Sequence, residues 1–199
     1  MQLSNFDFRI SIFEFRLKYS VAICKNEETQ VTIRKAMLND VPEIHRLISH
    51  YARKSILLPR TLIDLYENVW EFMVAEDEGR VVGCGALKLY SQELAEIRSL
   101  CVDKTLKSQG IGAGLVEGLL DHAEALGLKT VFALTISTPF FEKMGFHEAH
   151  RLRFPTKVWR DCLRCERYNC CDETALSIEL ADRHVPAGEP ATEAAEVSG

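Results

Sequence analysis

From residue 31 onward the chain switches between two hydrophobic periods, and the switches predict its elements. Val31–Arg34 reads as a short strand. Asp40-Val41-Pro42-Glu43 follows with the spacing of a capping box and a proline in the first turn; Val41, Ile44, Leu47, Ile48 and Tyr51 then fall on one helical face. Thr61 is placed to cap a second short helix through Tyr66. Trp70–Ala75 and Val81–Tyr90 read as paired strands, with Asp77-Glu78-Gly79-Arg80 as the turn between them. Ala95–Val102 is a further strand. A helix is expected from about Ile111 to Leu126, ended by Gly127. Lys129–Ile136 reads as a strand, Pro139–Met144 as a short helix stopped by Gly145, and another strand starts at Phe146. Helices lead, a hairpin fills the middle and a strand–helix–strand unit follows, with no internal repeat.

The two ends differ from this middle. Phe6, Phe8, Ile10 and Ile12, then Phe13, Phe15, Leu17, Tyr19 and Val21, alternate with a phase slip, so residues 1–30 read as an extension of strand or hairpin type. The domain is expected over 31–182. Residues 183–199 carry Pro186, Gly188, Pro190 and a run of Ala and Glu, too little apolar content to fold, and are expected to be a disordered tail.

At 199 residues and 47% hydrophobic content, the chain can bury the core of one α/β domain but not of two large ones. Its net charge of −5 gives no reason to expect a nucleic-acid partner. A local cluster of Arg and Lys can still hold a small anion. Asp7, Arg9, Glu14, Arg16 and Lys18 interrupt the apolar N-terminus, which speaks against a signal peptide or a membrane span and leads to a cytoplasmic expectation. Free thiols are then expected of the seven cysteines.

The candidate chemistry lies at Leu100-Cys101-Val102 and Lys107-Ser108-Gln109-Gly110-Ile111-Gly112-Ala113-Gly114. A buried strand runs into a loop, and the loop opens a helix at closely spaced glycines. Such a turn aims unpaired backbone N–H groups and the positive end of a helix dipole at one point, where glycines let a pyrophosphate approach. Lys107 adds a cation. The Gly-Lys-Ser/Thr ending of a Walker loop is absent, and the turn does not come straight off an N-terminal strand as a dinucleotide fingerprint requires.

In this context the segment resembles the acetyl-CoA motif of the GNAT acetyltransferases, Arg/Gln-x-x-Gly-x-Gly/Ala, with Lys107 at the first position. Phe140-Phe141-Glu142-Lys143-Met144-Gly145-Phe146 is similar to a second motif of that family. The resemblance covers about Val31 to Leu180. It implies a central mixed, mostly antiparallel sheet flanked by helices, and acetyl-CoA as co-substrate. In the second motif the family often carries a Tyr that protonates the departing thiolate; Phe141 stands there, so the resemblance gives it a place in cofactor binding but no proton to donate.

Leu57-Leu58-Pro59-Arg60-Thr61, Ala95–Val102, Val131-Phe132-Ala133-Leu134-Thr135 and Pro155-Thr156-Lys157-Val158-Trp159 are together similar to the acetyltransferase domain of bacterial N-acetylglutamate synthases, in a short form without the amino-acid-kinase domain. The resemblance implies transfer of an acetyl group to the α-amine of glutamate. Glu96 matches the base of that family and Thr135 a hydroxyl near the reacting thioester. Arg60, Arg98 and Lys157 are candidates to hold substrate carboxylates, Arg60 with a bidentate fork. A homodimer is compatible with this reading. The alternatives are acetylation of another amine, such as a protein N-terminus or a polyamine, and a non-catalytic acyl-CoA or metal-binding module. A polyamine pocket should be more acidic than basic.

Four of the cysteines crowd into residues 161–172 as C-x2-C followed by a Cys pair. Cys162 and Cys165 have the spacing to share a zinc ion, with Cys170 or Cys171 to complete the set and Cys171 taken as the candidate.

Overall fold

A computed structural model of the chain describes residues 21–22, 31–107 and 109–183. Eight strands form one sheet: β1 (Val21–Ala22), β2 (Thr32–Lys35), β3 (Phe72–Asp77), β4 (Arg80–Leu89), β5 (Leu94–Val102), β6 (Thr130–Thr135), β7 (His147–Glu148) and β8 (Thr174–Glu179). Their order is β1-β2-β3-β4-β5-β6-β8-β7, antiparallel throughout except between β5 and β6. The helices are α1 (Val41–Ala52), α2 (Leu62–Glu67), α3 (Ile111–Ala125), α4 (Thr138–Lys143) and α5 (Pro155–Arg160). The mixed, mostly antiparallel sheet flanked by helices is as expected.

The five residues read as one face of α1 are its buried residues: Val41, Ile44, Leu47, Ile48 and Tyr51. They pack with Phe72, Val74, Cys84 and Ala86 on one face of the sheet. Leu115, Val116, Leu119 and Leu120 of α3 cover the other face against Ile33, Met73 and Ile97. Gly83 and Gly85 admit α3 closely, since a Cβ on either would lie about 3 Å from Leu115 or Leu119. Thr61 caps α2 by accepting from the Asp64 N–H at 3.1 Å.

Several expectations need correction. Asp40 makes no side-chain cap on α1; its carboxylate accepts from the Met37 N–H and from Arg34. The strand expected from Phe146 has two residues, while β8 and α5 carry no sequence expectation at all. Of the N-terminal extension only Val21–Ala22 is described, paired with β2; the rest of 1–30 lies outside the described residues, as does the tail from His184. Arg183, placed in that tail by the sequence, belongs to the domain and pairs with Glu117, Asp121 and Glu124, which carry α3 charges on one side. No described helix is long and apolar enough to cross a membrane.

Where α3 meets β2, burial and the nearby Lys35 cation lower the His122 pKa to about 4, and burial lowers that of Lys35 to about 8. Between pH 6.5 and 4 the unfolded chain therefore binds a proton on this histidine that the folded chain refuses. Stability falls as pH drops through that window and is untouched by His122 above it. His122→Gln is expected to flatten this part of a plot of urea midpoint against pH. The slope removed should stay below the roughly 1.4 kcal/mol per pH unit of a fully shielded group, because His122 is only partly buried.

Candidate active site

β5 and β6 run side by side only from Leu94 to Glu96 and from Thr130 to Phe132. Beyond that pairing they part, with β5 continuing to Val102 and β6 to Thr135. The gap is a cleft of about 860 Å³ walled by residues 97–102 on one side and 134–137 on the other. Along this edge the backbone groups of β5 lack a protein strand to bond.

The β5 wall is bent by a bulge. Cys101 pairs with Cys84 and Arg98 with Ala86, so Ser99 and Leu100 together oppose the single residue Gly85. Ser99 takes a left-handed conformation, φ 54°, uncommon for a residue with a side chain. An added Cβ on Gly85 would meet Leu100 at 3.1 Å, so the glycine makes room for the bulge.

At the outer end of the cleft, Gly110 sits at φ 80° and begins α3. The first intrahelical bond is donated by Gly114 to Gly110, which leaves the N–H groups of Ile111, Gly112 and Ala113 without intrahelical acceptors. An added Cβ on Gly112 would make only ordinary contact, 3.6 Å to the Phe140 ring and 3.8 Å to Val102, both cleft residues. Packing of the protein against itself does not demand this glycine; a close-approaching ligand does. Lys107, also on the cleft, lies over the Tyr51 ring at 5.0 Å, and Tyr51 Oη donates to the Val102 carbonyl at 2.6 Å. The turn thus fits a pyrophosphate.

Leu100, Cys101, Val102, Lys107, Gly110, Ile111, Gly112, Ala113, Arg98, Thr135 and Phe141 all line this one cleft. Gln109 is exposed outside it, and Ser108 lies outside the described residues. Phe141 is buried edge-on to Phe140 and Phe146. Thr135 Oγ1 accepts from the Ser137 N–H at 2.9 Å, which orients the hydroxyl and leaves its own proton to donate.

Glu96, Lys157 and Arg60 do not line the cleft, and Arg98 lines it while also paired with the protein. Glu96 is 3% exposed and does not line the cleft. Its oxygens lie 2.9 and 3.0 Å from Lys157 Nζ, and the Tyr90 hydroxyl sits 2.8 Å from one of them. Lys157 also pairs with Asp161 at 3.3 Å. Burial works against the Lys157 charge, but Glu96 and Asp161 outweigh it and raise the pKa. Phe154, stacked on Phe132 at 4.1 Å, seats α5 so that Lys157 reaches Glu96. Arg98 Nη2 donates to buried Glu71, which Lys88 also contacts, while Arg98 Nε is buried without an acceptor. Arg60 pairs with Asp64 and lies over the Phe72 ring, with a buried Nη2 lacking an acceptor. Phe72, Ala86 and Arg98 are register partners across three strands, so Arg60 and Arg98 work the same face of the sheet.

The zinc expectation is corrected. Among the described residues no three His, Cys, Asp or Glu side chains gather as a metal site. Cys162 and Cys165 sit at either end of a short 3-10 turn, and Cys171 contacts Arg151 and Glu173 instead.

Sequence reasoning missed Glu173 and Lys143, both on the cleft. Glu173 precedes β8, whose Thr174 pairs with Thr135; without that strand nothing brings residue 173 to the site. Burial raises the Glu173 pKa.

Residues 39–146 match the Acetyltransferase (GNAT) family. An uncharacterised N-acetyltransferase of Chlorobaculum tepidum is 40% identical over 72% of this chain and 93% of its own length. An amino-acid acetyltransferase of Mycobacterium tuberculosis is 43% identical over 66% of this chain and 77% of its own. The crystal structure of the Neisseria gonorrhoeae N-acetylglutamate synthase, complexed with coenzyme A and N-acetyl-glutamate, superposes with a TM-score of 0.69 at 31% identity, covering 75% of this chain and 35% of that one. With a parted sheet, a bulged strand and a glycine-opened helix at one cleft, the chain belongs to the GNAT family and is an acetyl-CoA-dependent N-acetyltransferase.

Proposed function

We propose that the chain acetylates the α-amine of an amino acid, L-glutamate first, the opening step of arginine biosynthesis. The observation that carries this reading is Arg98, a guanidinium on the cleft wall with a buried N–H that no protein group accepts. Such a group is costly alone and is satisfied by a carboxylate. The cleft lining is also more basic than acidic, with Arg98, Lys107 and Lys143 against Glu173, which disfavours a polyamine. The gonococcal relative was solved with N-acetyl-glutamate, the product such a transfer gives.

In this reading the first turn of α3 and Lys107 hold the pyrophosphate of acetyl-CoA, whose thioester supplies the acetyl group. Main-chain groups freed by the bulge at Ser99 and Leu100, beside Cys101 and Val102, face the acetyl oxygen. Thr135 offers its proton to the departing sulfur, the role for which Phe141 has no group. Arg98 holds one carboxylate and Arg60 approaches from the same face. Glu96 keeps Lys157 in place beside the acceptor end and is the sequence-derived candidate for the base.

Arg98→Met is expected to raise KM for glutamate about tenfold to a hundredfold, the loss of roughly 1–3 kcal/mol from an unpaired carboxylate, with KM for acetyl-CoA nearly fixed. Arg98→Lys should keep Glu71 paired but restore only part of the affinity, since an ammonium has no fork. A wild-type enzyme that acetylates neutral or cationic amines faster than glutamate overturns the substrate assignment.

A further inference from the structure

We propose that Glu173 is the proton acceptor of the transfer, taking a proton from the substrate ammonium in the cleft and releasing it to solvent through a second recess on its other side. The inference rests on the reading that an amine is acetylated in this cleft.

Glu173 is the one acidic side chain among the described residues that line the cleft. It also lines a shallow recess of about 560 Å³ with Glu148, His150 and Arg151, and no other residue is common to the two cavities. A carboxylate in that position borders both the cleft and the recess. It stands next to Thr174, the register partner of Thr135, whose hydroxyl is the donor proposed for the leaving sulfur. Both proton-handling groups line the same cleft.

The carboxylate is also free to act. Its one side-chain contact is the Cys171 thiol at 3.7 Å, and Arg151 Nη2 binds the Glu173 main-chain carbonyl at 2.6 Å rather than the carboxylate. Glu96, by contrast, has both oxygens committed to Lys157. The charges facing Glu173 partly cancel: Lys157 and Arg167 favour its ionised form, Glu96 opposes it, and Glu148, His150 and Arg151 border it from the recess. Burial dominates and raises the pKa, which makes the carboxylate a better acceptor for an ammonium proton.

The protons balance. An amino acid arrives as an ammonium with three N–H bonds. The first proton goes to the Glu173 carboxylate, and the freed lone pair forms the C–N bond to the acetyl carbon. As the C–S bond breaks, a second proton is lost from nitrogen and one is gained by sulfur through Thr135, and the third stays on the amide. The proton on Glu173 is the one that leaves the enzyme, so the recess carries the net proton release of the reaction.

The test is a pH profile of kcat/KM with glutamate and acetyl-CoA. For the wild type it should level off once Glu173 is ionised, instead of following the deprotonation of the free amine. Glu173→Gln should lower kcat by about 10²–10⁴-fold, keep CoA binding in calorimetry, and show a rate that climbs about tenfold per pH unit into the alkaline range, because only amine already deprotonated in solution reacts. Formate should partly rescue Glu173→Ala, which a purely structural role does not predict. A wild-type profile without a plateau, or a Glu173→Gln profile shaped like the wild type, overturns the proposal. If glutamate is not acetylated at all, the substrate reading fails instead, and the same profiles are measured with whichever amine the enzyme accepts.

Discussion

Gly112→Leu is expected to weaken CoA binding roughly a hundredfold while leaving the melting temperature of the free protein unchanged or slightly higher. The reason is the direction of the missing Cβ. It would point between Phe140 and Val102, into the cleft, with no atom outside its own helix turn nearer than 3.6 Å. The protein can therefore house the first carbon, and replacing a helical glycine by leucine gains up to about 1 kcal/mol of helix propensity. The larger side chain then occupies the space in front of the Ile111, Gly112 and Ala113 N–H groups. Losing charge-assisted hydrogen bonds there, at about 1.5–3 kcal/mol each, accounts for the expected factor. Calorimetric titration with CoA beside a thermal melt checks both halves. Unchanged affinity would remove the helix start from the binding site.

The second large effect concerns stability as much as rate. Glu96→Gln leaves the half of the Lys157 interaction that depends on charge uncompensated inside the protein, with Asp161 the remaining partner at 3.3 Å. Breaking a buried pair from one side costs about 3–5 kcal/mol, so the melting temperature should fall by roughly 6–20 °C at about 2–4 °C per kcal/mol for a domain of this size. Glu96→Gln combined with Lys157→Met should recover part of the loss, because the stranded ammonium is gone. A double mutant no more stable than Glu96→Gln alone would show that the pair contributes little. Activity per folded molecule then separates an anchoring role from a chemical one.

The phosphate end of the site was legible in the sequence because it is local. Strand, loop, glycines and helix follow one another within residues 97–114, and each carries its own signal of period or backbone freedom. The buried face of α1 was legible for the same reason. The acceptor end was not. It depends on β8, six residues whose burial on both faces erases the alternation that marks a half-buried strand, and on α5, a single turn and a half held by long-range contacts, the Phe132–Phe154 stack and the Lys157–Glu96 pair. Glu96 and Lys157 were both singled out, but their pairing with each other was invisible, since 61 residues separate them. Cysteine spacing misled for a related reason: C-x2-C signals zinc only when the backbone turns both thiols toward one point, and here the segment winds through separate 3-10 turns.

The parting of β5 and β6 also bears on how the protein stays out of aggregates. A strand with unsatisfied backbone groups is a template for pairing with another chain, and proteins ordinarily blunt such edges with lysines, prolines or bulges at the margin of a sheet. Here the open edge is interior, facing the neighbouring strand across a cleft, with α1 and its following loop on one side and α3 and α4 on the other. A foreign strand would carry side chains above and below the sheet, where α1 packs on one face and α3 on the other. A slender amide-bearing arm needs far less space. The shape of the gap therefore sorts chains from cofactors by thickness, so the sheet can keep a reactive edge for its ligand without exposing it to its neighbours.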